Sequence, residues 1–143
     1  MTTAATETLV AVVERELPFP PEKVWRALTQ QHLIEEWLMK NDFQAVVGHK
    51  FNLRGEWGGV LACEVLAIEQ HKTLSYAWNF PHDDPAFDTK TVVTMTLTPT
   101  GKGTHLRVEQ AGFRKEQKQA YGGAKAGWAQ FLGNLEQVLA KVN

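Results

Sequence analysis

Five histidines, one cysteine and one adjacent pair of aspartates are the residues best suited to acid-base, nucleophilic or metal chemistry, and their spacing argues against all three. His32, His49, His71, His82 and His105 show no H-E-x-x-H or comparable ligand pattern. Each falls in or near a predicted turn, a helix start or a polar strand face. In PHDDP, His82, Asp83 and Asp84 could hold a cation, but two aspartates flanked by prolines are foremost a turn. Cys63 sits inside a predicted strand beside Glu64 with no histidine close in sequence, as a small core residue would. There is no G-x-S-x-G elbow, and GKGTH has the glycines of a hairpin rather than of a phosphate loop. No catalytic residue, metal ligand or cofactor is therefore expected.

Two other groups carry more information. Arg15 shares a strand face with Leu9, Ala11, Val13 and Leu17, which leaves two roles open. It could anchor a ligand carboxylate bidentately, or it could be structural, as an internal ion pair with Glu64 or with Glu56 beside Trp57 or as a head that snorkels past the rim. The aromatic residues Trp37, Phe51, Tyr76, Trp78, Phe80 and Trp128 can each be core, because large rings supply the most buried area per residue. As a group, with Thr91 and Gln110 interspersed, they suit the wall of a site for an amphipathic small molecule. The expected cavity is lined by Arg15, Trp37, Phe51, Tyr76, Trp78, Phe80, Thr91, Val93, Met95, Leu106, Val108, Trp128, Phe131 and Leu132.

The elements that must position these residues are legible from periodicity. Alternation from Leu9 to Leu17 predicts a strand ending at Pro18, behind a loose lead-in at residues 1–8. Pro20 and Pro21 before Glu22 open a short helix with the stripe Val24, Trp25 and Leu28. Thr29 is placed to cap a second helix carrying Leu33, Ile34, Trp37 and Leu38. Short strands follow at FQAVV, KFNLR, GVLACEVLAIE and LSYAWNF, then two more from Thr91 and from His105, joined by TPTGKGT. The last segment, from Tyr121 to Val142, reads as one long amphipathic helix.

This order gives an α+β domain: a curved, mostly antiparallel sheet of six to seven strands, a helical pair after the first strand, and a long C-terminal helix across the sheet. Four glycines weaken that helix, Gly122, Gly123, Gly127 and Gly133, at a combined cost of about 2–4 kcal/mol relative to alanine. Gly127 and Gly133 are expected to allow close packing, and Gly122 and Gly123 to mark an irregular or mobile helix start. Missing side chains that leave volume at a cavity mouth are the competing explanation.

The bulk numbers exclude several classes. With 15 basic and 16 acidic residues the formal charge is -1, and no run of one sign suits a nucleic-acid backbone. One cysteine rules out an intrachain disulfide and suits a reducing compartment. The N-terminus lacks a basic leader, and no apolar stretch could span a membrane, so a cytoplasmic single domain is expected, as a monomer or weak homodimer.

Several local patterns in this order resemble the SRPBCC superfamily, which shares the helix-grip fold of START domains and birch-pollen-allergen-like proteins. They are PPEKVWRALT with Trp37 nine residues beyond Leu28, VVGHKF, GVLACEVLAIEQHKTLSYAW, and Gly127-Trp128 followed by FLGNLEQVL. The chain is most similar to the branch related to the C-terminal domain of the heat-shock-protein-90 ATPase activator. Such a resemblance implies the helix-grip fold and a cavity under the last helix that takes a small hydrophobic or amphipathic molecule. It also implies two alternatives: a chaperone-associated interaction module with a role in stress response, or a cyclase or hydrolase of the same superfamily.

Overall fold

The computed structural model describes residues 8–56 and 58–142. Among these residues seven strands form one antiparallel sheet in the order β1-β7-β6-β5-β4-β3-β2. They are β1 (Thr8–Leu17), β2 (Lys40–Asn41), β3 (Lys50–Arg54), β4 (Val60–Glu69), β5 (Thr73–Phe80), β6 (Thr89–Thr100) and β7 (Gly103–Arg114). Helices α1 (Pro21–Thr29) and α2 (Gln31–Trp37) follow β1, and α3 (Lys118–Lys141) ends the fold. This is the α+β helix-grip arrangement expected from the sequence. Thr8 is already paired with Arg114, so β1 starts one residue inside the expected lead-in, the rest of which lies outside the described residues.

The long strands follow the alternation of their residues. Leu74, Tyr76 and Trp78 on β5, Val93, Met95 and Leu97 on β6, and Leu106 and Val108 on β7 all point into one core. Two bulges bend the sheet, one in β4 between Val65 and Ala67, the other where β1 meets β7. At the second, Gly112 takes φ 116° and lies so close to β6 that a Cβ would sit 2.7 Å from the Lys90 carbonyl oxygen. Gly103 is fixed equally tightly, since a Cβ there would collide with the Leu17 carbonyl. Among the described residues no helix is long and apolar enough to cross a membrane.

Two local expectations are corrected. FQAVV is not a strand; only Lys40–Asn41 pairs with β3. The Asn41 side chain accepts from the Phe43 N–H and donates to the Gln31 and Met39 carbonyls, so local bonds replace a ladder, and Gly48 at φ 90° turns the chain. Thr29 does not cap α2: its hydroxyl bonds back to the Trp25 carbonyl at 2.7 Å and so closes α1 instead.

The outer face of the sheet carries a charged cluster. His105 Nε2 lies 2.8 Å from Glu14 Oε1, and Nδ1 faces Glu16 Oε1, an arrangement only the doubly protonated imidazolium satisfies with both nitrogens donating. The hydrogen bonds to Glu14 and Glu16 raise the His105 pKa above its ordinary 6.5. The bond to His105, followed by the charge of Arg107, holds Glu14 below the usual carboxylate range. The His105 contribution to stability is complete below its unfolded pKa and is lost as pH rises through the raised value. That of Glu14 is complete above its unfolded pKa and is lost as pH falls through the lowered value. A proton NMR titration is expected to place the His105 midpoint above 6.5, and His105→Gln to flatten the decline in thermal stability on the alkaline side. A midpoint at or below that figure would show that the cluster is not formed in solution.

Candidate functional site

Helix α3 has 24 residues and spans about 36 Å, yet its two halves do different things. All its buried side chains, Trp128, Leu132, Leu135, Val138 and Leu139, lie in the C-terminal part, where they close the core against the sheet. Residues 118–127 bury none. Below that first half is a cavity of about 300 Å³, roofed by Ala120, Gly123, Ala124 and Gly127 at i, i+3, i+4 and i+7 spacing. Its floor and walls are Trp78 and Phe80 of β5, Thr89 of β6, Gln110 and Phe113 of β7, Trp128 and Phe131 of α3, and Phe87 from the loop before β6. Phe87 and Gly123 are solvent-exposed and stand at its mouth.

The rings are packed against one another rather than splayed. Trp78 and Trp128 have centroids 5.2 Å apart, and Phe131 meets Trp128 edge-on at 5.7 Å. Beneath them runs a buried polar chain: Trp128 Nε1 donates to Gln110 Oε1 at 2.8 Å, Gln110 Nε2 donates to Thr91 Oγ1 at 3.0 Å, and Thr91 Oγ1 donates to the Trp78 carbonyl at 2.5 Å. The rim is tied down by Gln117, whose amide donates to the Pro85 and Asp88 carbonyls and accepts from the Arg114 N–H. Arg114 Nη2 also donates to the Pro85 carbonyl. Loop 81–88 is thus latched to the start of α3. Within it, His82 Nδ1 accepts from the Asp84 N–H, and Asp84 and Asp88 accept from the Ala86 and His82 N–H groups, which is turn chemistry. No group of three or more metal-ligating side chains occurs among the described residues.

Of the residues singled out in the sequence, Trp78, Phe80, Trp128 and Phe131 meet at the cavity, and Thr91 lies directly under Gln110. Val93, Met95, Leu106, Val108 and Leu132 are core beside it. Trp37 is buried in α2, with Nε1 donating to the Ala27 carbonyl at 2.8 Å. Phe51 and Tyr76 pack edge-on with Phe43 and do not line the cavity, although Tyr76 also stacks on Trp78 with centroids 6.4 Å apart. Arg15 is half-exposed and paired with Glu136 of α3 at 2.8 Å, so its partner is neither Glu64 nor Glu56. Phe87, Thr89, Phe113, Ala120 and Ala124 were not anticipated as lining, whereas open volume beside the helix glycines was the competing explanation. An aromatic residue inside the polar loop PHDDPAFD, and four small residues on one helical face, were the available signals.

The glycine reading is also revised. At Gly127 a Cβ would meet only Phe131 Cε2, at an ordinary 3.9 Å, and at Gly133, Gly122 and Gly123 it would meet nothing within 4 Å. Close packing is therefore not their cause, and α3 runs unbroken through Gly122 and Gly123. The missing side chains at Gly123 and Gly127 leave the cavity open.

Two buried groups have no role in chemistry here. Burial pushes the Cys63 thiol up to about 12, which leaves it an inert core residue. Burial likewise drives the Tyr76 hydroxyl above the usual tyrosine range, with Cys63 adding to the effect, and that hydroxyl has no hydrogen-bond partner among the described residues. Tyr76→Phe is accordingly expected to leave stability unchanged or raise it by about 1 kcal/mol in denaturant unfolding. A loss of that size would mean the hydroxyl is satisfied in solution.

Several solved structures share this fold. MLL2253 from Mesorhizobium loti is 65% identical with a TM-score of 0.92, over 94% of this chain and 99% of that one. CalU16 from Micromonospora echinospora shares the fold at 23% identity and a TM-score of 0.78, over 95% and 79% of the two chains. DynU16, from the dynemicin biosynthetic locus, does so at 24% identity and a TM-score of 0.81, with this chain covering 47% of its length. A search of curated proteins finds no match. The model of the family described as Activator of Hsp90 ATPase homolog 1-like protein matches residues 18–140, and the chain belongs to that family.

Proposed function

We propose that this protein binds a small hydrophobic or amphipathic molecule between the sheet and the first half of α3. The observation that carries this reading is the cavity itself: about 300 Å³, walled among the described residues by six aromatic side chains, with the polar side chains of Thr89 and Gln110 in its lining. Such volumes fall at the lower end of the ~300–1,000 Å³ typical of small-molecule sites, and an apolar wall with few polar groups is their usual chemistry. Tryptophan fluorescence supplies the test, because Trp78 and Trp128 both line the space. Titration with a library of neutral aromatic and lipid compounds should quench or shift their emission saturably, and native mass spectrometry should find the retained molecule. No saturable binder anywhere in the library would overturn the proposal.

The name of the family favours a second reading, a protein-interaction module acting on an Hsp90-type chaperone. It predicts a changed chaperone ATPase rate on addition of this protein; an unchanged rate would exclude it.

A further inference from the structure

Resting on that binding site, we infer that its ligand is an uncharged aromatic ring compound bearing a hydrogen-bond-accepting oxygen, and that Gln110 is the residue that selects it. The hydrogen bonds around Gln110 fix which way its amide faces. Trp128 Nε1 can only donate, so the atom opposite it is Gln110 Oε1. The Thr91 hydroxyl proton is committed to the Trp78 carbonyl, so its oxygen accepts, and the atom opposite it is Gln110 Nε2. One Nε2–H then remains without a partner among the described residues, on a side chain that lines the cavity and is only 4% exposed.

Thr89 repeats the feature. It also lines the cavity, is 7% exposed, and its hydroxyl has no hydrogen-bond partner among the described residues. It lies two residues from Thr91 on the same face of β6, roughly 7 Å along the strand. Buried donors left unpaired are costly, so a guest that satisfies them is favoured over one that cannot. Among the described residues no charged side chain lines the space. A buried carboxylate or ammonium would therefore lose its hydration with no opposite charge to replace it. Flat walls from Trp78, Phe87 and Phe131 suit a ring better than a flexible chain, whose ordering would cost rotamer entropy.

Three probes of matched size separate these claims: 2-acetylnaphthalene, 2-isopropylnaphthalene and 2-naphthoate. Wild-type protein should bind the ketone about fivefold more tightly than the hydrocarbon, the worth of one neutral hydrogen bond. The carboxylate should bind more weakly than either. In the ketone complex, but not the hydrocarbon complex, a Gln110 side-chain amide proton should shift downfield in the nitrogen-proton NMR spectrum. Gln110→Met should diminish the preference for the ketone while still binding the hydrocarbon, provided circular dichroism shows it folded; the amide shift in the wild type decides the matter where it is not. Equal affinities for ketone and hydrocarbon, or tight binding of the carboxylate, would overturn this proposal and leave the binding reading intact. Failure of all three probes while another member of the library binds would overturn this proposal alone, and failure of the whole library would overturn both.

Discussion

Replacing Gly127 by leucine is expected to weaken ligand binding severely while leaving the protein as stable as before or more so. The two effects have opposite signs because they arise from different physics. A helical glycine is about 0.5–1 kcal/mol worse than a residue with a side chain, and leucine is among the better helix formers. At this position the added Cβ meets only a ring carbon of Phe131, at 3.9 Å, so the backbone need not move. The rest of the side chain enters the space that Gly127 and Gly123 leave open over Trp78. Affinity should fall roughly ten- to hundredfold, read by fluorescence titration, with an unchanged or higher denaturation midpoint. Gly122→Ala is the control. Gly122 is exposed, does not line the cavity, and has nothing within 4 Å of its missing Cβ. That variant should gain about 0.5–1 kcal/mol and bind as the wild type does. Equal loss of affinity in both variants would mean that helix flexibility, not cavity volume, governs binding.

Trp128→Ala is expected to produce the largest loss of stability of any single cavity substitution, about 3–5 kcal/mol, and a fall in Tm on the order of 10 °C. Trp128 is 2% exposed, touches Trp78 and Phe131, and joins the roof to the floor of the cavity. Its removal merges the vacated volume with a space that already exists and deprives Gln110 Oε1 of its donor. Trp128→Phe should recover most of the packing but not the hydrogen bond, and fall between the two. A loss under about 1 kcal/mol for the alanine variant would contradict the view that this residue anchors α3 to the sheet beside the cavity.

Much of the fold was legible because its long strands carry strict alternation. Tyr76 and Trp78 against Ser75 and Ala77, or Val93 and Met95 against Thr94, leave one face apolar, and an antiparallel sheet with one apolar face calls for a covering helix. Features decided by side chain to backbone bonds were not legible in the same way. Asn41 suppresses a strand at 43–47 through three hydrogen bonds that no periodicity reveals, and Thr29 chose the end of one helix over the start of the next. The site was readable only in part for a related reason. Whether Gly127 permits contact or leaves a void depends on what lies opposite, and the sequence shows only that a side chain is missing. Arg15 illustrates the limit of pairing by eye: Glu136 stands 121 residues away, on an element whose orientation over the sheet cannot be deduced from strand alternation. The rings that do meet at the cavity were visible as a set, because Trp78, Phe80 and Trp128 are large side chains on predicted inward faces.

The binding of a ligand beneath α3 is tested most directly by intermolecular nuclear Overhauser effects in the complex with 2-acetylnaphthalene. Contacts from the probe to the Trp128 indole, the Phe87 ring and the Gly123 and Gly127 α-protons are the predicted result. Contacts confined to the outer face of the sheet, around exposed Val10 and Val92, or no contacts at saturating probe, would contradict it.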